Sequence, residues 1–402
     1  MTVFLKIEEP PRGAPASAPR PQGFALWALG FRPFYLLASG FAALSIVLWT
    51  LQATGLLPLQ FLPGPLWHAH EMVFGFTLAV VVGFLFTAGR NWSGQDTPTG
   101  GALMALAGLW LAARVLVLTP WAWAAAVANV AFPLLAAWAL FQSLKRGNNR
   151  RNYFFAGLLV VMGLGAALVH AEHLGFKLLP GWAGIQIALD VVLFMMAVMG
   201  GRVIPMFTNN GVPGVQATRH PRIEQGALGA VLALLVADAL ALPGVVVALV
   251  AAVAALLHGA RLALWQPWRT RRAPLVWVLH AAYLWIPLHL LLRAAAALEL
   301  LPSTFATHAL TVGAIGGLTI GMMTRTARGH TGRPLRADRF DVACYVLVLA
   351  AGLLRVGLPL LWPASYVHAL GCSALLWAAG FGLYALRYWP VLSRPRLDGK
   401  AG

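Results

Sequence analysis

Charge is what this sequence has least of. Charged residues fill 10% of its 402 positions, where soluble domains carry roughly 25%. With 60% hydrophobic residues, no water-soluble fold of this size hides so much apolar surface, so lipid is the remaining solvent. Cysteine is nearly absent. Cys344 and Cys372 stand in apolar runs at unrelated positions and predict neither a disulfide framework nor a thiolate metal site. No ten-residue window alternates as a membrane barrel requires. The N-terminus lacks the apolar core of a cleaved signal peptide. There is no P-loop, no GxGxxG after a strand and no soluble redox domain. Electrons for any redox turnover therefore come from an external donor or a quinol.

Apolar runs are what the sequence has instead. They lie near 34–54, 67–89, 100–118, 121–143, 152–173 and 182–204, then near 225–242, 245–265, 274–297, 304–325, 339–361 and 365–389. Each is long enough to cross roughly 30 Å of hydrocarbon as a helix. The expectation is an all-α integral membrane protein of about twelve transmembrane helices over 31–392. Residues 1–30, rich in Pro, Gly, Ala and Ser, read as a disordered cytoplasmic tail, and 393–402 as a second tail. Of the 29 Lys and Arg, all but Arg114, Lys177, Arg293 and Arg355 fall on the side shared by both termini, which the positive-inside rule places in the cytoplasm. The net charge of +17 is this topology signal plus attraction to anionic lipid. A nucleic-acid reading needs a soluble basic domain, and none is present.

Segments four helices apart resemble one another. Helix 3 closes with LAARVLVLTP (111–120), helix 7 with LLVADALALP (234–243) and helix 11 with GLLRVGLPLLWP (352–363). Arg114, Asp238 and Arg355 thus share a depth, each followed by a proline exit. Three four-helix units account for this better than two six-helix halves. Shared interfacial residues at all helix ends are the simpler explanation, but charges inside the membrane are not an interfacial feature.

Given this topology, seven of the 11 histidines share the outer slab: His68, His70, His170, His173, His289, His308 and His368. Arg114, Arg293 and Arg355 lie in the same outer halves, where a charge normally has a partner. Neutral imidazole ligates haem iron and copper, and arginine anchors haem propionates bidentately. The absence of a CxxCH attachment motif makes any haem non-covalent, most simply haem b. At 100° per residue, His170 and His173 share a face about 60° apart. His68 and His70 diverge by about 200° if their segment is helical, and converge only if the helix begins after His70. His70, His173 and His308, at the outer ends of three helices, are expected to converge on a metal, with His68 and His170 as further ligands. Glu71, Glu172 and Asp190 are expected to orient imidazoles from behind. Trp285, His289 and Arg293 stack at i, i+4 and i+8, and Gly313, Gly317 and Gly321 form a stripe suited to helix packing or to a flat macrocycle.

Plainer readings exist for each. A single membrane histidine is more often a hydrogen-bonding or interfacial group, as suits His368 beside Tyr366. Asp190 and Asp238 read equally as structural ion-pair members, with Asp238 facing Arg114 or Arg355.

The motifs GFRPFYLLA (30–38), WHAHEMVFGF (67–76), GFLFTAGRNWSG (83–94), LDVVLFMMAVMGGRVIPMFTNNG (189–211) and HALTVGAIGGLTIGMMTRTARGHTGRP (308–334) resemble the NnrS family in the family's order, across nearly the whole chain. The resemblance implies a bacterial inner-membrane protein containing haem and copper, tied to denitrification and to protection against nitric oxide. Its motif positions fall on His68, His70, Glu71, Asp190, Arg202, His308, Arg325 and His330. A more distant likeness joins the chain to haem–copper oxidase and nitric oxide reductase catalytic subunits. Their copper triad does not transfer, because helices 6 and 7 here carry no histidine. A transporter of a metal, haem or small anion is the alternative, with Pro133, Pro205 and Pro287 as candidate helix breaks.

Reporter fusions after residues 147, 215, 270 and 330 should report the cytoplasm, and fusions after 177 and 300 the periplasm. One robust reversal breaks the twelve-helix count.

Overall fold

The computed structural model describes residues 23–56, 62, 64–176 and 179–400. Lys177 and the first 22 residues of the expected tail lie outside them. Apolar runs bounded by Gly, Pro and Asn become twelve helical segments, and no strand occurs among the described residues. They are α1 (Phe31–Ala53), α2 (Gly64–Ser93), α3 (Gly100–Leu116), α4 (Ala122–Arg146), α5 (Tyr153–His173) and α6 (Gly181–Gly211). There follow α7 (Pro221–Ala239), α8 (Gly244–Leu264), α9 (Pro274–Ala297), α10 (Ser303–His330), α11 (Arg339–Leu361) and α12 (Tyr366–Leu392). Ten are long and apolar enough to cross a membrane. The remaining two are α3, with 17 residues, and α7, which carries Arg222, Glu224 and Asp238.

Packing repeats every four helices. The pairs α4/α5, α8/α9 and α12/α1, four helices apart, all pack extensively, and α12 on α1 closes the chain on itself. At that closure the Ala25 N–H donates to the Ser393 carbonyl at 2.8 Å. Beside it, Arg32 Nη1 donates to the Leu392 and Arg394 carbonyls at 2.9 and 2.8 Å. Over its most apolar stretch α2 is 83% buried, against 33% for α1 and 39% for α12, so α2 is an inner helix. The outer helices turn Val245, Leu256, Leu361 and Leu386 outward, as a lipid solvent requires.

The inner helices depart from α geometry where polar residues cluster. Turns widen to π geometry at Glu71–Thr77 in α2, Ala309–Gly316 in α10 and Leu353–Gly357 in α11, a distortion that recurs at functional sites. Pro133 and Pro205 lie inside unbroken helices. Only α9 is interrupted, at Leu284, three residues before Pro287, where the ring excludes the preceding turn's carbonyl. The glycine stripe of α10 is filled by α9. A Cβ at Gly313 would lie 2.2 Å from Trp285, and one at Gly317 would lie 2.6 Å from Ala282, so the stripe serves packing.

The α5/α6 crossing brings backbone against backbone. A Cβ on Gly184 would stand 2.3 Å from the Gly165 carbonyl oxygen, a backbone atom that no rotamer can move away. Gly184→Ala should therefore cost about 1–3 kcal/mol, read as earlier thermal unfolding in detergent. Gly157→Ala, which enters open space, should show no such loss.

Candidate functional site

His68 and His70 belong to one helical turn, Gly64–His70, so their 200° divergence holds and they enter two separate sites. His68 stacks on Trp49 of α1, ring centroids 5.0 Å apart at 17°. It lines a cavity of about 690 Å³ together with His308, Arg355, Gln186, Tyr366 and Trp377. Helices α1, α2, α6, α10, α11 and α12 all contribute walls.

His308 comes from the last turn before the π segment of α10. Its Nδ1 lies 2.7 Å from the Thr304 carbonyl. A carbonyl only accepts, so Nδ1 carries the proton and Nε2 keeps its lone pair. Arg355 is 6% exposed. Its Nη2 donates to the Tyr366 hydroxyl at 3.3 Å, and its guanidinium lies 5.1 Å from that ring's centroid. Its Nη1 has no partner. No carboxylate among the described residues pairs with it, whereas Arg114 and Arg293 each meet one.

His70, on the opposite face of α2, is fully buried. Its Nδ1 lies 2.7 Å from Glu71 Oε1. The carboxylate accepts that proton and leaves the Nε2 lone pair, which has no partner. His170 of α5 meets it edge-on, centroids 5.0 Å apart at 89°. Glu71 is itself held by Arg114 Nη1 at 2.5 Å, and Arg114 Nη2 donates to Asn129 Oδ1 of α4. Gly75 makes this possible, since a Cβ there would lie 3.0 Å from Arg114 Nη1 and 2.6 Å from Phe41. The chain Asn129–Arg114–Glu71–His70 thus ends on an imidazole packed at right angles to the His170 ring.

Other sequence expectations resolve differently. His70, His173 and His308 do not converge: His70 and His308 enter different sites, and His173 is exposed at the end of α5. Glu172 also has a backbone role. Its Oε2 accepts the Gly181 N–H at 2.6 Å and satisfies the start of α6. Asp190 bonds Arg293 at 2.9 Å and Gln186 at 3.1 Å, and Asp238 faces Arg293 rather than Arg114 or Arg355. His289 donates from Nδ1 to the Ala306 carbonyl at 2.8 Å. His368 is exposed.

At the other end of the bundle, His258 bonds the Tyr283 hydroxyl at 2.6 Å and His280 bonds Thr208 at 2.8 Å. Also there, His330 packs on Phe31, Arg202 bonds Asn152 and Arg325 lies over Phe207. Sequence reasoning missed Asn129, Gln186 and Trp49. The first two were visible as amides inside apolar runs.

Among the described residues no three His, Cys, Asp or Glu gather to hold a metal, so protein donors come in imidazole pairs. A family model described as NnrS protein matches residues 25–396. No curated protein matches the chain.

The buried Glu71–Arg114 pair generates a stability test. Glu71→Ala strands the guanidinium and should cost about 3–5 kcal/mol, while Glu71→Gln with Arg114→Met should recover most of it. Equal losses in the single and double variants would show that the ion pair does not organise this region.

Proposed function

The chain belongs to the NnrS family, and on that premise we propose that it is a haem protein of the bacterial cytoplasmic membrane that binds nitric oxide and protects the cell during denitrification. One observation carries this reading. Arg355 is buried without an acidic partner in the wall of a 690 Å³ cavity that also holds two imidazoles from different helices. A buried cation of this kind calls for an anionic group from a ligand. Imidazoles, aromatic walls and a cation together match a flat apolar macrocycle that bears carboxylates, and the volume falls in the usual range for cofactor sites.

His68 and His308 would hold the iron, and Arg355 would take a propionate. Bound haem supplies an iron centre that nitric oxide can ligate. The protein's own part is preparation. The Thr304 carbonyl holds the His308 proton on Nδ1, Trp49 fixes the His68 plane, and Tyr366 orients Arg355. Copper fits the second pair. His70 and His170 bring two buried imidazoles together, and Glu71 behind His70 makes the carboxylate–histidine arrangement that steadies metal ligands. Both termini lie in the cytoplasm in this reading, which sets the two sites towards the outer face, where an external electron donor would serve them.

Purified protein from a haem-replete host should show b-type Soret and α/β bands that nitric oxide shifts. His68→Ala or His308→Ala should remove most of the haem while the protein still inserts. His70→Ala or His170→Ala should spare haem and lower copper. His220→Ala, His258→Ala and His330→Ala should leave both near normal. Haem lost from the last group and kept without His68 and His308 would overturn the assignment.

A further inference from the structure

Beside the cavity, two acids face one base. Arg293 Nη1 donates to Asp190 Oδ1 at 2.9 Å and its Nη2 to Asp238 Oδ2. Both carboxyl groups thus meet at one guanidinium. Asp190 Oδ2 has no donor partner, although its side chain is only 1% exposed. Two ionised carboxylates crowded at one guanidinium repel each other, and a proton held by one of them removes that repulsion. With both ionised, the triad would carry one net negative charge inside hydrocarbon, an expensive arrangement. One added proton makes it neutral.

We propose that Asp190 and Asp238 hold a single proton between them, behind Gln186 in the wall of the His68–His308 cavity and in exchange with the end of the bundle opposite the termini. Asp238 stands in the last turn of α7 with its side chain 15% exposed, which gives the proton a way in. Gln186, one turn before Asp190 on α6, donates to Asp190 Oδ1 at 3.1 Å and lines the cavity, which gives it a neighbour inside. Besides Arg293, the titratable group facing the triad is His289, one turn away on α9, whose Nε2 has no partner. The pair is a store that takes up or releases a proton when the charge in the cavity changes by one. That use rests on the haem reading above. The proton itself does not.

Infrared spectroscopy of the detergent-solubilised full chain tests this whether or not cofactor is bound. A protonated-carboxyl C=O band should be present, shift in D₂O without unfolding, and vanish in both Asp190→Asn and Asp238→Asn. Each variant keeps Arg293 paired with the remaining acid, so insertion should survive. Gln186→Leu should keep the band but move it. A band that is missing, or that persists in both asparagine variants, would overturn the shared proton. A band that ignores D₂O would overturn exchange, and one that ignores Gln186→Leu would overturn the link to the cavity. A normal band in protein that binds no haem would sink the cavity reading alone.

Discussion

Charge inside hydrocarbon must be answered locally, and this bundle is organised around three arginines that have to be answered. Arg114 finds Glu71 and Asn129, and Arg293 finds Asp190 and Asp238. Each set draws on three different helices, so each also ties the inner helices to the outer ring. Arg355, at the matching depth in the third unit, finds only the Tyr366 hydroxyl. The threefold pattern makes that exception informative. The first unit neutralises its arginine with its own acid, the acids of the second are answered by Arg293 of the third, and the third leaves Arg355 facing a cavity. In a medium where an unanswered charge costs several kcal/mol, such a cation marks the place where a ligand completes the structure.

The same constraint links the two imidazole sites. His68 and His70 leave opposite faces of one turn, immediately before α2 widens at Glu71. Any movement of that turn reaches both the cavity and the His70–His170 pair. Glu71 serves the His70 side of that turn, where the carboxylate that fixes the His70 proton also anchors Arg114. Conformational change at one site therefore has a short mechanical path to the other.

Depth was legible in the sequence and direction was not. The apolar runs and the basic loops located all twelve helices, and periodicity assigned His68 and His70 to different faces. What it could not supply was the azimuth of each helix in the ring. His70 and His308 share a level yet serve different sites, and Asp238 turned to α9 because Arg293 waits there. The π segments were invisible for a related reason: one residue more per turn leaves no compositional trace. At Glu172, a carboxylate between two histidines, the sequence did not show that the start of α6 takes an acceptor for its Gly181 N–H.

The central claim is that the Arg355 charge is completed by an anionic group on the cavity's ligand. Arg355→Leu tests it by comparing thermal stability without haem and haem affinity in one variant. The account expects opposite signs: the haem-free protein gains stability because a buried unpaired cation is gone, and haem binds more weakly because its carboxylate has lost its partner. A variant that binds haem as tightly as the parent, or whose haem-free form is destabilised, would contradict it.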